Sequence, residues 1–418
     1  MAKSFGEDLK AHILIVSVYV VILSLLFQHA AEPYMDEIFH VPQFKRVHAF
    51  LWNNAPWEWD PAITTFPGLY LVSSVLTPID MSSINEKTLT MILRCFNAVI
   101  FTLGLYWVCS RITKSSLGGL IAVFYPLNFF YSFLYYTDLA STVFVLITAH
   151  LLLNEKRFVL SGITALLAVL MRQTNIVWIF GFCLTDCMRR IGRERKVSLS
   201  VVWSILRDLW IHIILGFLFA AFVIKNNYSV VLGHHEQHGI SLHFAQITYF
   251  VLTVFGACGP GSWADLPQVF HIRLPKVVGI IVLLVMASEF GTIAHPFILS
   301  DNRHYSFYFF RYFVSRRWVR SILFPIAGAV ILVTANIFQN RSVLPKWILW
   351  LCTLMCIVPS PLIEFRYFNI PATLLLCGDS SRNRSKLIFF IAVNAVTLYV
   401  YIYRPFVWGD GTKARFMY

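Results

Sequence analysis

The chain has 418 residues, of which 58% are hydrophobic and only 13% charged, about half the charged share of an ordinary soluble domain. Its mean hydropathy of +0.67 comes from apolar residues gathered in long runs, which excludes a soluble protein with its own large core and indicates an integral membrane protein. The net charge of +13 does not signal a nucleic-acid partner, because no basic groove with interleaved aromatics accompanies it.

Residues 1–10 are polar and precede an apolar run at 11–27. No small-residue cleavage site follows, so the run reads as a signal anchor that stays in the membrane. The longest polar stretch, 30–65, is rich in Trp, Pro and acids. The apolar segment 66–76 is too short to span and should be re-entrant or interfacial. Further spans are expected at 90–109, 117–134, 139–153, 158–171, 175–188 and 205–224. The remaining ones fall at 243–258, 277–299, 321–338, 346–358, 362–378 and 386–403. The expected fold is therefore all-α: one polytopic helix bundle over 1–418, with about 12–13 transmembrane helices.

Sidedness follows from the short loops. The basic loops 111–116, 154–157, 189–207, 271–276, 340–346 and 379–386 suit the cytosol and share one parity; the densest holds Arg189, Arg190, Arg193, Arg195 and Lys196. The opposite face then receives 32–65, 135–138, 172–175, 226–243, 300–305, 359–368 and the C-terminal tail. Arg316, Arg317 and Arg320 break the pattern, marking either an uncounted span or an anion site. The eight cysteines include the pairs Cys183/Cys187 and Cys352/Cys356, whose i,i+4 spacing is simple stacking on a helix. No CxxC and no zinc-spaced histidine set is present. His234, His235, Glu236 and His238 are nearly consecutive, which does not suit a metal site.

The polar residues of the second face carry the chemistry. Asp36 and Glu37 are adjacent carboxylates where the first span ends, with His40 four residues past Asp36. A carboxylate in a partly desolvated cleft suits a general base, although solvated loop acids would look the same. Trp59 and Asp60 precede Pro61, a sequence that equally suits a helix N-cap with proline in the first turn. The other loops carry Asp138, then Arg172, Gln173 and Asn175, then Asp301, Arg303, His304 and Tyr305, and finally Glu364 and Arg366. Ionisable residues at membrane depth are functional candidates by default, with snorkelling the competing account of any single arginine. Acids for a hydroxyl, arginines for a phosphate and aromatics for sugar faces would together make one site.

PYMDEIFHVPQ, WDPAITTFPGLYL, FLYYTDLAS, RQTNIVW, DNRHYSFY, EFRYFNIP and the terminal RFMY resemble the dolichyl-phosphate-glucose-dependent α-1,2-glucosyltransferases of the endoplasmic reticulum. The resemblance runs from Ala30 to Tyr418. Two stretches depart from it: 45–57, and Gly233-His234-His235, where the family has a Gly-Asp-Lys-like sequence.

The resemblance implies a GT-C bundle, multi-pass in the endoplasmic reticulum membrane, with its active site beneath a first luminal loop at 30–66. It implies dolichyl-phosphate glucose as donor and the diglucosylated dolichyl-diphosphate-linked oligosaccharide as acceptor, joined through an α-1,2 linkage with inversion. Asp36 is then expected to be the base, with Glu37 raising its proton affinity or orienting the acceptor. Arg303, His304 and Arg366 are candidates for the leaving phosphate, with Arg172, Gln173 and Asn175 as alternatives. Trp59 and Asp60 are expected on acceptor sugar. No cofactor or metal is called for, because the donor is a monophosphate. The competing readings are a sister GT-C transferase with another sugar or acceptor, and a polytopic transporter or lipid flippase. The latter would favour paired halves with broken helices, and no duplication is visible.

Overall fold

The structure is a computed structural model that describes residues 2–78, 81, 83–194, 197–233, 241–339, 343–381 and 383–418. Among the described residues it is 75% helical and the one sheet is a pair of two-residue strands, so the all-α polytopic expectation holds. The chain forms two compact units, residues 1–119 with 131–237 and residues 120–130 with 238–418.

The first unit contains α1 (Ala2–His29), α2 (Glu37–Trp52), α3 (Gly68–Leu76), α4 (Glu86–Thr113), α5 (Thr137–Glu155), α6 (Phe158–Met171), α7 (Asn175–Glu194) and α8 (Leu199–Lys225). Asn85 caps α4 by accepting the Thr88 amide at 2.9 Å, which satisfies one of the unpaired donors of the first turn. Helix α5 packs against α4, α6 and α7. The apolar window of α5 is 83% buried and that of α8 only 17%, so α5 is the core of the unit and α8 presents its apolar flank outward, as a lipid-facing helix does. Gly68 opens α3 against α6: a Cβ there would meet the Leu170 carbonyl oxygen at 2.5 Å, which only glycine avoids.

The second unit contains α9 (Gln246–Cys258), α10 (Leu274–Gly291), α11 (Tyr305–Val314), α12 (Val319–Thr334), α13 (Lys346–Ile357), α14 (Asn369–Gly378) and α15 (Asn383–Tyr403). Strands β1 (Phe406–Val407) and β2 (Lys413–Ala414) pair antiparallel in the tail. Residues 120–130 belong to this unit because Asn394 donates to the Phe124 carbonyl at 2.8 Å and Asn128 to the Thr373 hydroxyl at 3.0 Å. A buried Lys386–Asp379 ion pair at 2.6 Å ties the start of α15 to the preceding turn.

Among the described residues, six helices are long and apolar enough to cross a membrane, or seven if the α11–α12 pair is one span. Three shorter apolar helices, α6, α9 and α13, accompany them. The difference from the 12–13 expected has local causes. The run 117–134 is two helices, Ser116–Phe124 and Pro126–Ser132, interrupted before a proline that cannot continue the amide ladder. In 362–378 regular helix begins only at Asn369. Helix α7 is long, but Asp186, Arg189, Arg190 and Arg193 occupy its second half. Arg316 and Arg317 sit in the break of the α11–α12 pair, which bends by 92°; α11 is a limb that the sequence count omitted.

Two other expectations change. The polar stretch 30–65 is half helix, because α2 buries Glu37, His40, Val41, Phe44, Val47 and His48 along one face at helical spacing. Asp60 caps no helix: its carboxylate accepts the Ala62 amide at 2.9 Å, closing a turn well before α3. The cysteine pairs do lie on helices α7 and α13, and no disulfide joins any of the eight thiols.

Candidate active site

The site in the first unit is organised at the start of α2, where two adjacent carboxylates diverge. Glu37 has no exposed side-chain surface. Its Oε1 accepts Arg94 Nε–H at 2.8 Å and the Tyr135 amide at 2.7 Å. Its Oε2 accepts Arg94 Nη2–H at 2.5 Å and the Tyr34 amide at 3.0 Å. Those four bonds use the acceptor sites of a carboxylate, so Glu37 has none left for a substrate hydroxyl. Arg94 also donates to the Ala30 carbonyl at 2.6 Å and the Glu32 carbonyl at 3.0 Å. One arginine of α4 thus fastens the whole entry to α2.

Asp36 is only half buried. It is the residue before α2, its amide donates to the Tyr136 hydroxyl at 3.0 Å, and its carbonyl accepts the His40 amide at 3.0 Å. Met35 just before it holds φ at 56°, a left-handed conformation that costs a non-glycine residue energy and tends to occur at functional sites.

An aromatic wall stands beside Asp36. His40 Nδ1 and the Tyr70 hydroxyl are hydrogen-bonded at 2.5 Å. The His40 ring meets Tyr136 edge-on at 5.7 Å, and Trp59 meets Tyr70 at 5.7 Å. Burial, reinforced by the neighbouring Tyr135, Asp36 and Asp60, pushes the Tyr70 phenol well above its usual range, so it stays protonated. Trp59 stacks on Trp57 with ring planes 7° apart. Gln43 of α2 donates to the Glu58 carbonyl at 2.9 Å and accepts the Asp60 amide at 3.0 Å. Arg46 lies 3.6 Å from the Asp60 carboxylate. The structure therefore brings Asp36, His40, Trp59 and Asp60 into one cluster built on α2.

The turn between α6 and α7 supports that cluster. Gln173 donates to the Thr64 carbonyl at 2.8 Å, and the Leu232 amide donates to the same oxygen at 3.1 Å. Asn175 donates to Ser141 and to the Ala168 carbonyl, both at 2.7 Å. Gln173 and Asn175 thus spend amide protons on the scaffold. Arg172 lies 3.1 Å from the buried Asp138 carboxylate and donates to the Thr137 hydroxyl at 3.2 Å. Gly233 holds φ at +78°, and a Cβ there would strike the Pro61 carbonyl oxygen. The histidines 234, 235 and 238 lie outside the described residues; among those described, no group of three potential metal ligands occurs.

In the second unit, Arg303 grips Asp301 through Nε at 2.8 Å and Nη2 at 2.7 Å. Its guanidinium lies 4.6 Å over the Trp408 ring. Burial raises the Asp301 carboxyl, but the hydrogen bonds from Arg303 outweigh it and hold the group below its usual range. His304 Nδ1 contacts the Tyr418 backbone oxygen at 2.9 Å, and the Tyr305 amide donates to the Met417 carbonyl at 2.8 Å. Tyr305 stacks on Phe416. The tail thus folds along 301–305. Glu364 pairs with Arg366, and Gln246 straps the segment before them by donating to the Leu362 carbonyl at 2.5 Å. Each candidate arginine is accordingly matched to a carboxylate of its own unit.

Sequence reasoning missed Arg94, Tyr70 and the ring of Tyr136. The signal for Arg94 was present: an arginine inside the apolar run MILRCFNAVIF is costly in a membrane unless a partner neutralises it.

A sequence profile of the DIE2/ALG10 family matches residues 30–377. The chain is similar to the Dol-P-Glc:Glc(2)Man(9)GlcNAc(2)-PP-Dol alpha-1,2-glucosyltransferase of Arabidopsis thaliana, at 32% identity over 97% of this chain and 98% of the relative. The Homo sapiens protein of the same name is 31% identical over 93% of each chain, and that of Candida albicans 26% identical over 95% and 96%. No solved structure matches. The profile covers the Asp36–Glu37 pair, its Arg94 anchor and the Arg172–Asn175 turn, and with the near-full-length similarities it shows that the chain belongs to the DIE2/ALG10 family.

Proposed function

We propose that this chain is an inverting α-1,2-glucosyltransferase of the endoplasmic reticulum membrane. It moves glucose from dolichyl-phosphate glucose to the terminal glucose of the diglucosylated, dolichyl-diphosphate-linked oligosaccharide, the last step of assembling that glycan for N-glycosylation. The names borne by relatives across nearly the full length of the chain support this donor and acceptor. The observation that carries the chemistry is the divergence of the carboxylate pair, which leaves Asp36 partly accessible beside an aromatic wall while Glu37 is consumed by Arg94.

Asp36 takes the proton from the acceptor 2-hydroxyl as that oxygen forms a bond to the anomeric carbon. The bond from that carbon to the phosphate oxygen breaks on the opposite face, so a β-linked donor gives an α-linked product in one displacement. Dolichyl phosphate leaves with the electron pair. Glu37 and Arg94 are positioning residues: together they are a neutral, fully hydrogen-bonded pair that holds the backbone of Asp36. Arg172, held by Asp138 in Asp36's own unit, is the preorganised cation assigned to the charge that develops on the leaving phosphate. Trp59 and Trp57 offer flat faces to acceptor sugar, and Asp60 offers a carboxylate to its hydroxyls. The luminal placement of this cluster is supported by its parity opposite the basic loops.

The test is transfer of labelled glucose by the purified chain from dolichyl-phosphate glucose to defined lipid-linked acceptors. A product with an α-1,2 linkage on the diglucosylated acceptor is expected. Transfer of another sugar, or none to that acceptor, would overturn the assignment.

A further inference from the structure

One cavity of the second unit has no part in the chemistry above. It is a groove of about 670 Å³ in which Ile280, Leu284 and Ala287 of α10 and Trp350 and Leu354 of α13 supply apolar surface. Among the described residues its polar lining is Lys276, Lys346 and Gln339. Lys346 donates to the Gln339 side chain at 3.2 Å, and neither lysine has an ion pair among the described residues. Both lysines lie at helix beginnings, Lys276 in the first turn of α10 and Lys346 as the first residue of α13. The positive ends of two helices therefore add to two ammonium groups that no carboxylate among the described residues neutralises. Like charges that share the mouth of an apolar groove repel unless an anion joins them.

The dimensions limit what that anion belongs to. From Lys276 to Ala287 helix α10 rises by roughly 16 Å, about half of the ~30 Å hydrocarbon core. The groove is one leaflet deep with its cations at one end. The loops 271–276 and 340–346 are among the basic ones whose parity suits the cytosol, and the cytosolic leaflet is where acidic phospholipids concentrate.

We propose that this groove is a binding site for an acidic glycerophospholipid of the cytosolic leaflet, its phosphate held between Lys276 and Lys346 and one acyl chain laid along α10 and α13. The site is independent of the glucosyltransferase reading, because it is measured by lipid retention and not by turnover. Native mass spectrometry of the purified full chain, in detergent with equimolar phosphatidylinositol and phosphatidylcholine and separately with a polyprenyl phosphate, tests it. One phosphatidylinositol should be retained over phosphatidylcholine by about tenfold or more. Lys276→Ala with Lys346→Ala should abolish the preference, whereas Lys10→Ala with Lys225→Ala, which removes as much charge elsewhere, should keep it. Equal retention of the two phospholipids by the unaltered chain overturns the proposal, and that comparison stands even if the groove variant does not fold. So does a preference that survives in the groove variant. Loss of polyprenyl phosphate retention in that variant, with phosphatidylinositol unaffected, also overturns it, since the groove would then belong to the isoprenoid.

Discussion

Arg94 holds Glu37 through two hydrogen bonds, of 2.8 and 2.5 Å, at a point where neither side chain has any exposed surface. Breaking one partner of such a pair leaves a buried, uncompensated charge, at a cost of about 3–5 kcal/mol. Arg94→Ala and Glu37→Gln should therefore each lower the thermal unfolding temperature of the purified protein substantially. Unchanged melting of both variants would remove the anchoring role.

Asp36→Asn should behave in the opposite manner. It keeps the shape of a half-buried side chain and removes the base, so turnover should fall by about two to four orders of magnitude with little change in melting temperature. Donor binding, measured directly, should change far less than turnover. Near-normal turnover by this variant would exclude Asp36 as the base.

Acceptor choice should reside in the aromatic cluster on α2. A site built to hydrogen-bond a hydroxyl rejects an analogue lacking it by about four orders of magnitude, so transfer to the diglucosylated acceptor should far exceed that to the monoglucosylated or unglucosylated ones. Trp59→Ala removes a face that stacks on Trp57 and meets Tyr70. It should raise the apparent KM for acceptor more than for donor. Equal rates on all three acceptors would place the selection elsewhere.

His243 supplies a pH dependence. It is completely buried, its Nδ1 is 3.3 Å from the Pro361 carbonyl and its Nε2 accepts the Ile293 amide at 3.4 Å. Burial pulls it down from 6.5 to about 4, partly countered by backbone hydrogen bonds. A histidine depressed in the folded state binds a proton more readily once unfolded, so its contribution is fully present above pH 6.5 and is lost as pH falls from 6.5 to about 4. The loss amounts to roughly 3–4 kcal/mol. His243→Gln should flatten that segment of the stability curve relative to the unaltered protein; parallel curves would refute it.

Glycan mapping tests the sidedness. Asn227 begins the sequon Asn227-Tyr228-Ser229 in the turn after α8, in a stretch expected opposite the basic loops, whereas Asn383 begins another at the first residue of α15 and Asn340 a third outside the described residues, both expected on the basic side. Modification is expected at Asn227 only. A glycan on Asn383 would reverse the parity of that half of the chain.

The sequence alone determined the class of this protein. Apolar runs of membrane-spanning length impose helices because lipid offers the backbone no hydrogen-bond partners. It also marked Asp36, His40, Trp59 and Asp60, since local motif chemistry is written in neighbouring residues. What it did not yield was everything that depends on contacts between distant residues. Asp36 and Glu37 look equivalent as a dipeptide, and only the packing of α4 against the entry to α2 sends one carboxylate to Arg94 and leaves the other accessible. The arginines read as free phosphate ligands until Asp138, Asp301 and Glu364 were found against them. Where the helices break was hidden for the same reason: hydropathy reports how apolar a segment is, whereas the proline break before Pro126 and the 92° bend after Val314 are decided by backbone geometry in a packed environment.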